Sequence, residues 1–238
     1  MATQRVTTGV EGLDELIGGG LVPERAYLVS GEPGTGKTIM CMQYILEGIK
    51  KGEKGVYVSI DEKPEHLIYD AQSLGFDLKS KVDEGLLQIL DVSSYFSQAR
   101  FGKESKIEVE RITEELTKHV KKMGAKRLVV DPVAPLVSRA DSIYEVQEYI
   151  KSLISQLEDM TGCTTLITSH APVGSAKMSQ YDIEEFVVSG ILQLRLTKPD
   201  KKYVRSVFVR KMRATAVDLS EWAFDIVKGK GLVLRQPL

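Results

Sequence analysis

The residues best suited to phosphate chemistry form the segment GEPGTGKT at positions 31 to 38. This segment fits the pattern G-x-x-x-x-G-K-[ST]. It follows the apolar run AYLVS and precedes a helical pattern, which is the order that the motif requires. In such a loop, backbone N–H groups surround the phosphates, and the lysine contacts the β- and γ-phosphates. The predicted ATP-binding residues are Gly31, Glu32, Pro33, Gly34, Thr35, Gly36, Lys37, Thr38 and Ile39.

A P-loop also needs an acidic residue that holds Mg²⁺ through water, usually at the end of a buried strand. The apolar run RLVVD ends at Asp131. An aspartate at this position is also typical of an ordinary turn, but the P-loop favours a role in metal binding. We therefore predict that the Thr38 hydroxyl and the Asp131 carboxylate hold Mg²⁺.

Hydrolysis of ATP further requires a group that activates water. Pro132 follows Asp131, so the glutamate that many P-loop ATPases carry there is missing. The run VYVSIDE supplies two other carboxylates, Asp61 and Glu62, directly after an apolar strand at 56–60. We predict that Asp61 and Glu62 orient water, with Lys37 assisting at the γ-phosphate. Which carboxylate is the base stays open.

The elements that position these residues follow an alternating pattern. Short apolar runs at 27–29, 56–60, 86–90, 128–130 and 165–168 are separated by longer helical patterns. Because these runs are apolar on both faces, they predict a parallel sheet covered by helices on both sides. After position 191, alternating runs separated by polar turns predict antiparallel strands. The expected fold is α/β, with a central mostly parallel sheet flanked by helices and an antiparallel C-terminal extension.

Two amphipathic helices are indicated by apolar residues at helical spacing. The first ends before Gly124, and the second follows a capping box, SIYE at 142–145, and ends before Gly162. Their predicted buried stripes are Val109, Ile112, Leu116, Val120 and Met123, then Ile143, Val146, Ile150, Leu153, Leu157 and Met160.

Length and composition narrow the class of protein. The 238 residues suit one domain over 1–238, and no linker or repeat divides them. The apolar runs are too short to cross a membrane and no signal peptide is evident, so we expect a cytoplasmic protein. A formal net charge of -1 gives no general attraction to nucleic acid or membranes.

Taken together, the motifs resemble the KaiC family of RecA-like P-loop ATPases. The likeness extends over nearly the whole chain and includes TGVEGLDELIGGGL before the P-loop, YVSIDE, QYDIEEFVVSGILQLR and VRKMRAT. It implies a RecA-like P-loop core, ATP and Mg²⁺ as cofactors, and a homo-oligomeric ring, usually a hexamer, with ATP between subunits. It further implies that Lys211 and Arg213 reach the γ-phosphate bound by the neighbouring chain.

Three departures from the family pattern refine the expected function. Asp61 stands where many relatives have glutamate, which predicts slow turnover, and Ala214 stands where many have glycine. Glu184 and Glu185 occupy the places of the serine and threonine that a clock-type autokinase phosphorylates. We therefore expect a regulatory ATPase that signals to a protein partner, without autokinase activity.

Two other functions stay open. A RecA-type ATPase that binds single-stranded DNA would use the segment 172–182 as a pore loop, with Lys177 and Arg139 on phosphates and Tyr181 stacking on bases. Basic residues are sparse there, which predicts weak binding at most. A scaffold that binds ATP with negligible turnover is the other alternative. Ser169 and His170, at the end of a strand, are candidate sensors of nucleotide state.

Overall fold

The computed structural model describes residues 4–92, 109–136, 143–172, 179–180, 184–198 and 202–238. The predicted DNA-contact residues Arg139, Lys177 and Tyr181, and the predicted capping residue Ser142, lie outside the described residues. None of the described helices combines the length and apolar content that crossing a membrane requires.

A nine-stranded sheet with the order β3-β2-β4-β5-β1-β6-β7-β8-β9 forms the centre of the described structure. The strands from β3 to β6 in this order are parallel, and the pairs from β6 to β9 are antiparallel. The strands are β1 (Ala26–Gly31), β2 (Lys54–Ser59), β3 (Leu87–Asp91), β4 (Ala125–Asp131), β5 (Thr164–His170), β6 (Gly190–Thr197), β7 (Val204–Met212), β8 (Glu221–Val227) and β9 (Gly231–Pro237).

Helices cover both faces of the parallel part. They are α1 (Leu13–Leu16), α2 (Lys37–Lys50), α3 (Pro64–Ser73), α4 (Leu78–Asp83), α5 (Val109–Met123), α6 (Ile143–Thr161) and α7 (Glu184–Val187), with a 3₁₀ turn at Ala134–Leu136. Each of the five predicted apolar runs overlaps one of the strands β1 to β5, although the runs at 56–60 and 86–90 each extend one residue beyond their strand.

The strands are apolar on both faces because they separate two hydrophobic clusters. In β1, Tyr27 and Val29 belong to the cluster that includes residues of α2, whereas Ala26 and Leu28 belong to the cluster that includes residues of α5 and α6. The central α5 stripe residues Ile112, Leu116 and Val120 are buried in the second cluster. Full burial of side chains of this size contributes about 1.5–3 kcal/mol each.

Two sequence expectations need correction. The strand β6 is antiparallel to β7 but parallel to β1, so the antiparallel extension begins after β6 rather than with it. Met160 is not a core residue of α6, because its side chain is 36% exposed, whereas Thr161 is only 8% exposed. With 3.6 residues per turn, the stripe that passes through Leu157 continues at Thr161 rather than at Met160.

A tight turn follows β7 at Ala214, a position at which the family resemblance leads us to expect glycine. Ala214 has a φ of 56°, in the left-handed region that L-residues rarely adopt. Arg5 holds this turn by donating hydrogen bonds to the Ala214 carbonyl oxygen at 3.0 Å and to Thr215 Oγ1 at 2.8 Å. The chain therefore accepts a strained residue next to the end of β7.

Replacing Ala214 with glycine is expected to raise the free energy of unfolding by about 0.5–1 kcal/mol, because relief of left-handed strain outweighs the greater freedom of glycine in the unfolded chain. Chemical denaturation and the melting temperature measure the change. The matched control, Ala71→Gly inside α3, should lower stability by about 1 kcal/mol or more. Equal losses for both variants would contradict the strain at Ala214.

Candidate nucleotide site

The candidate site lies at the carboxyl edge of four adjacent parallel strands, β2, β4, β5 and β1. The register pairs Ser59 of β2 with Asp131 of β4, and Gly31 of β1 with His170 of β5. Asp61 follows β2 by two residues at the same edge. The fold therefore gathers the predicted P-loop, metal acid and one candidate base, although they are far apart in the sequence.

The P-loop joins the end of β1 to the start of α2. Gly36, the N-cap of α2, has a φ of 107°, which favours glycine. At Gly31 an added Cβ would lie 2.4 Å from the Leu194 carbonyl oxygen and 2.8 Å from Thr35 Oγ1. Thr35 donates a hydrogen bond from Oγ1 to the Glu32 carbonyl oxygen at 2.8 Å, which closes the loop. The loop thus presents the N-terminus of a 14-residue helix, where phosphate binds favourably.

Lys37 lies within this loop and is only 6% exposed. Its Nζ donates hydrogen bonds to the carbonyl oxygens of Gly31 at 2.8 Å and Glu32 at 3.1 Å. Desolvation lowers the pKa of the Lys37 ammonium, and the Asp131 carboxylate partly offsets this effect. The two hydrogen bonds therefore fix the Lys37 ammonium inside the loop that would enclose the phosphates.

The predicted metal residues lie next to each other. Thr38 Oγ1 donates a hydrogen bond to Asp131 Oδ2 at 2.9 Å. Within the part of the chain that the structure describes, no group of three or more His, Cys, Asp and Glu side chains could hold a metal ion. Mg²⁺ at nucleotide sites commonly takes one or two protein ligands and completes its shell with water and phosphate oxygens. A hydroxyl beside a carboxylate fits that requirement.

Two further hydroxyl groups contact the Asp131 carboxylate. Tyr57 Oη donates a hydrogen bond to Asp131 Oδ2 at 2.5 Å, and Thr168 Oγ1 donates one to Asp131 Oδ1 at 2.5 Å. The sequence analysis did not identify either residue, because both read as members of buried strands. The strand order places β2 and β5 on either side of β4, and only this order shows that Tyr57 and Thr168 lie beside Asp131.

Asp61 and Glu62 have different neighbours. Asp61 Oδ2 lies 4.0 Å from His170 Nε2. Partial burial raises the pKa of Asp61, and the imidazole opposes this shift. Partial burial also raises the pKa of Glu62, and the Asp70 carboxylate of α3 raises it further. Asp61 is therefore the carboxylate that lies close to His170 of β5, whereas the charged group that most affects the pKa of Glu62 is Asp70 in α3.

His170 and Ser169, the candidate sensors, end β5 beside the P-loop strand. Desolvation lowers the pKa of His170, and the Lys37 ammonium lowers it further. Ser169 Oγ donates a hydrogen bond to Glu184 Oε1 at 2.9 Å and accepts one from the Gln180 backbone N–H at 3.1 Å. Ser169 thus contacts the segment before β6, whereas His170 faces Asp61.

Lys211 and Arg213 do not lie near the P-loop of their own chain. Gly31 pairs with Leu194 on β6, whereas Lys211 pairs with Ile191. Three residues along a strand correspond to about 10 Å, and β7 lies one strand further away than β6. Lys211 Nζ donates to the Glu185 carbonyl oxygen at 3.0 Å, and Arg213 Nη2 donates to that of Phe186 at 3.2 Å. Both side chains therefore lie beside α7.

The two glutamates that the sequence analysis aligned with autokinase acceptors, Glu184 and Glu185, are buried. Glu184 is 0% exposed and accepts the hydrogen bond from Ser169, and Glu185 accepts one from Ser179. Both carboxylates thus bind hydroxyl groups of the same chain. Phe186, in the same short helix, is 67% exposed next to Lys211 and Arg213.

Arg205 is another residue that the sequence analysis missed. From β7 its Nε donates a hydrogen bond to the Gly34 carbonyl oxygen in the P-loop at 3.1 Å. Alternation along VRSVFVRKM places Arg205 in a strand, but no feature of the sequence connects that strand to the P-loop. The antiparallel extension therefore contacts the loop through Arg205.

Comparison with known proteins identifies the family. Residues 6–237 match the family described as "ATPase: KaiC". A UPF0273 protein of Pyrococcus furiosus is 32% identical over 97% of this chain and 94% of its own length. The crystal structure of a KaiC-like protein from Pyrococcus horikoshii has a TM-score of 0.84 at 32% identity and covers 98% of this chain and 99% of that chain.

Other relatives match only in part. The circadian clock oscillator protein KaiC of Prochlorococcus marinus is 34% identical over 151 residues, which are 63% of this chain and 29% of that protein. The alignment with a UPF0273 protein of Methanopyrus kandleri covers 56% of that protein. The predicted RecA-like architecture, a mostly parallel sheet with an antiparallel C-terminal part, is confirmed. The match along nearly its whole length shows that this chain belongs to the KaiC family of ATPases.

Proposed function

We propose that this chain is a single ATPase domain that forms a homo-oligomeric ring, of hexameric type, and hydrolyses ATP with Mg²⁺ at subunit interfaces. The observation that carries this proposal is the position of Lys211 and Arg213, displaced along the sheet from their own P-loop. A cation there is poorly placed to serve the phosphates of its own subunit. In a ring with head-to-tail contacts, the same cations can serve a neighbour.

Binding begins at the P-loop. Backbone N–H groups at the start of α2 and the Lys37 ammonium attract the phosphates. Thr38 and Asp131 would hold Mg²⁺, which neutralises charge on the β- and γ-phosphates when bound. Arg205 supports the loop by its hydrogen bond to the Gly34 carbonyl oxygen.

Hydrolysis follows by direct attack of water on the γ-phosphorus. Asp61 accepts the proton of the attacking water, the bond between the γ-phosphorus and the bridging oxygen breaks, and ADP and phosphate are released. The raised pKa of Asp61 favours proton acceptance, and the contact with His170 limits the orientations of the carboxylate. Lys211 and Arg213 of the adjacent subunit stabilise the negative charge of the transition state.

The energy of hydrolysis then changes contacts between subunits. Phe186 is exposed beside the two cations, so an apolar and a cationic contact lie on the same surface. Loss of the γ-phosphate removes negative charge at this interface, so the neighbouring subunit binds Lys211 and Arg213 less strongly. We propose that a protein partner recognises the resulting state of the ring.

The proposal is tested by measuring phosphate release per subunit from ATP and Mg²⁺ over a wide range of protein concentration. Specific activity should rise and then level off, in parallel with the mass measured by light scattering, because each site needs a neighbour. Activity that is constant while the mass changes from monomer to oligomer would contradict sites shared between subunits.

A scaffold that binds ATP with negligible turnover is the second candidate. The observation that favours it is the Asp61 side chain, which is one methylene shorter than glutamate and 59% exposed. An exposed carboxylate of this kind holds an attacking water molecule less firmly in one orientation than a buried carboxylate does. ATP-dependent assembly without phosphate release would favour this candidate over the hydrolysing ring.

A further inference from the structure

Three hydroxyl groups donate hydrogen bonds to the Asp131 carboxylate. Thr38 and Tyr57 both donate to Oδ2, at 2.9 and 2.5 Å, and Thr168 donates to Oδ1 at 2.5 Å. The P-loop motif accounts for Thr38. Tyr57 and Thr168 come from the strands on either side of β4 and have no assigned role.

Tyr57 is well suited to hold this carboxylate in one orientation. Its side chain is 1% exposed, and its ring packs with Cys41 and Val129 in the cluster beneath the P-loop helix. Its hydroxyl donates to Asp131 Oδ2, which belongs to a carboxylate that only accepts hydrogen bonds. A rigid ring fixed in the core gives this donor little freedom to move.

The other fully buried tyrosines differ from Tyr57 in what they contact. Tyr44 Oη donates to the Thr164 carbonyl oxygen at 2.7 Å, and Tyr27 Oη donates to the Val22 carbonyl oxygen at 3.0 Å. These backbone contacts satisfy a buried hydroxyl without involving an ionised group. Tyr57 instead donates to the oxygen that also binds Thr38, the other candidate metal ligand.

We propose that Tyr57 is a positioning residue for Mg²⁺: its hydroxyl orients the Asp131 carboxylate toward Thr38 and thereby raises the affinity of the nucleotide site for the metal. This inference rests on the proposed Mg²⁺-dependent binding of ATP. Residues that hydrogen-bond a metal ligand from behind typically change metal affinity about 10–100-fold when they are removed.

The test replaces Tyr57 with phenylalanine, which removes the hydroxyl and keeps the ring. We expect the apparent affinity for Mn²⁺, used as a paramagnetic substitute for Mg²⁺ with a non-hydrolysable ATP analogue, to fall about 10-fold in electron paramagnetic resonance titrations. Binding of the same analogue in EDTA should be unchanged. Tyr44→Phe is the matched control, because it removes a buried tyrosine hydroxyl that contacts only backbone.

The results separate the inference from the proposed function. A loss of Mn²⁺ affinity for Tyr57→Phe but not for Tyr44→Phe, with both variants folded by circular dichroism, supports the positioning role. Equal affinities for wild type and Tyr57→Phe would overturn this role alone, as would equal losses in both variants. A wild-type protein that binds the analogue no better with Mn²⁺ than with EDTA would overturn the proposed function and this inference together.

Discussion

Replacing Arg213 with alanine is expected to slow ATP hydrolysis about 10³-fold, the lower end of the range for an arginine supplied to a phosphoryl-transfer site. ATP binding should remain close to wild type, because the P-loop and Lys37 bind the phosphates of the ground state, whereas Arg213 of the neighbour acts on the charge of the transition state. Phosphate release and binding of a fluorescent ATP analogue measure the two effects separately. Lys211→Ala should act in the same direction.

A mixing experiment distinguishes action on the neighbour from action within one chain. Lys37→Ala removes the P-loop cation but keeps Arg213, so each inactive variant carries what the other lacks. If Arg213 acts on the neighbour, an equal mixture should regain activity, because about one quarter of the interfaces in a randomly mixed ring combine an intact P-loop with an intact Arg213. Mixtures that stay inactive after subunit exchange would contradict action between subunits.

Arg210 provides the matched control for these variants. It lies in the same strand and is exposed, and none of the described contacts links it to α7 or the P-loop. Arg210→Ala should therefore hydrolyse ATP at the wild-type rate and form rings of the same mass. An equal loss of activity in Arg210→Ala would mean that the Arg213 effect reflects the general charge or stability of β7.

Replacing Asp61 with asparagine is expected to lower turnover at least 10²-fold, about the contribution of a general base. Glu62→Gln should have a smaller effect, since the contact with β5 at the P-loop edge belongs to Asp61. The two substitutions remove the same charge from adjacent residues, so each controls for the other. Single-turnover phosphate release measures the chemical step. A larger loss for Glu62→Gln would assign the base to Glu62 instead.

The length of the Asp61 side chain gives a second measurement at the same site. Asp61→Glu extends the carboxylate by one methylene and should raise turnover if the wild-type base is held too far from the attacking water. The nearby His170 should tolerate the longer side chain, because it is itself only partly buried. Unchanged turnover in an already active wild type would show that side-chain length does not limit hydrolysis.

Much of the fold could be predicted because its signals are local. The nucleotide loop is a run of consecutive residues, so its glycines, lysine and threonine are readable without knowledge of other elements. The strands of the parallel part are apolar on both faces, and this composition alone predicts a covered sheet. The prediction for Met160 was wrong, because positions three and four residues after a buried residue both fit a helical repeat, and the sequence does not show which of them is buried.

The sequence by itself determined the class of fold, the phosphate loop and the identity of the candidate acids, because each depends on neighbouring residues or on a short repeat. The tertiary structure decided which strands adjoin, and therefore which side chains meet. Strand order brings Tyr57 and Thr168 to Asp131, and it separates the contacts of Asp61 from those of Glu62. Register places Lys211 and Arg213 away from their own loop. These contacts join residues distant along the chain, and hydrogen bonds act only over a few ångströms, so they exist only once the sheet has formed.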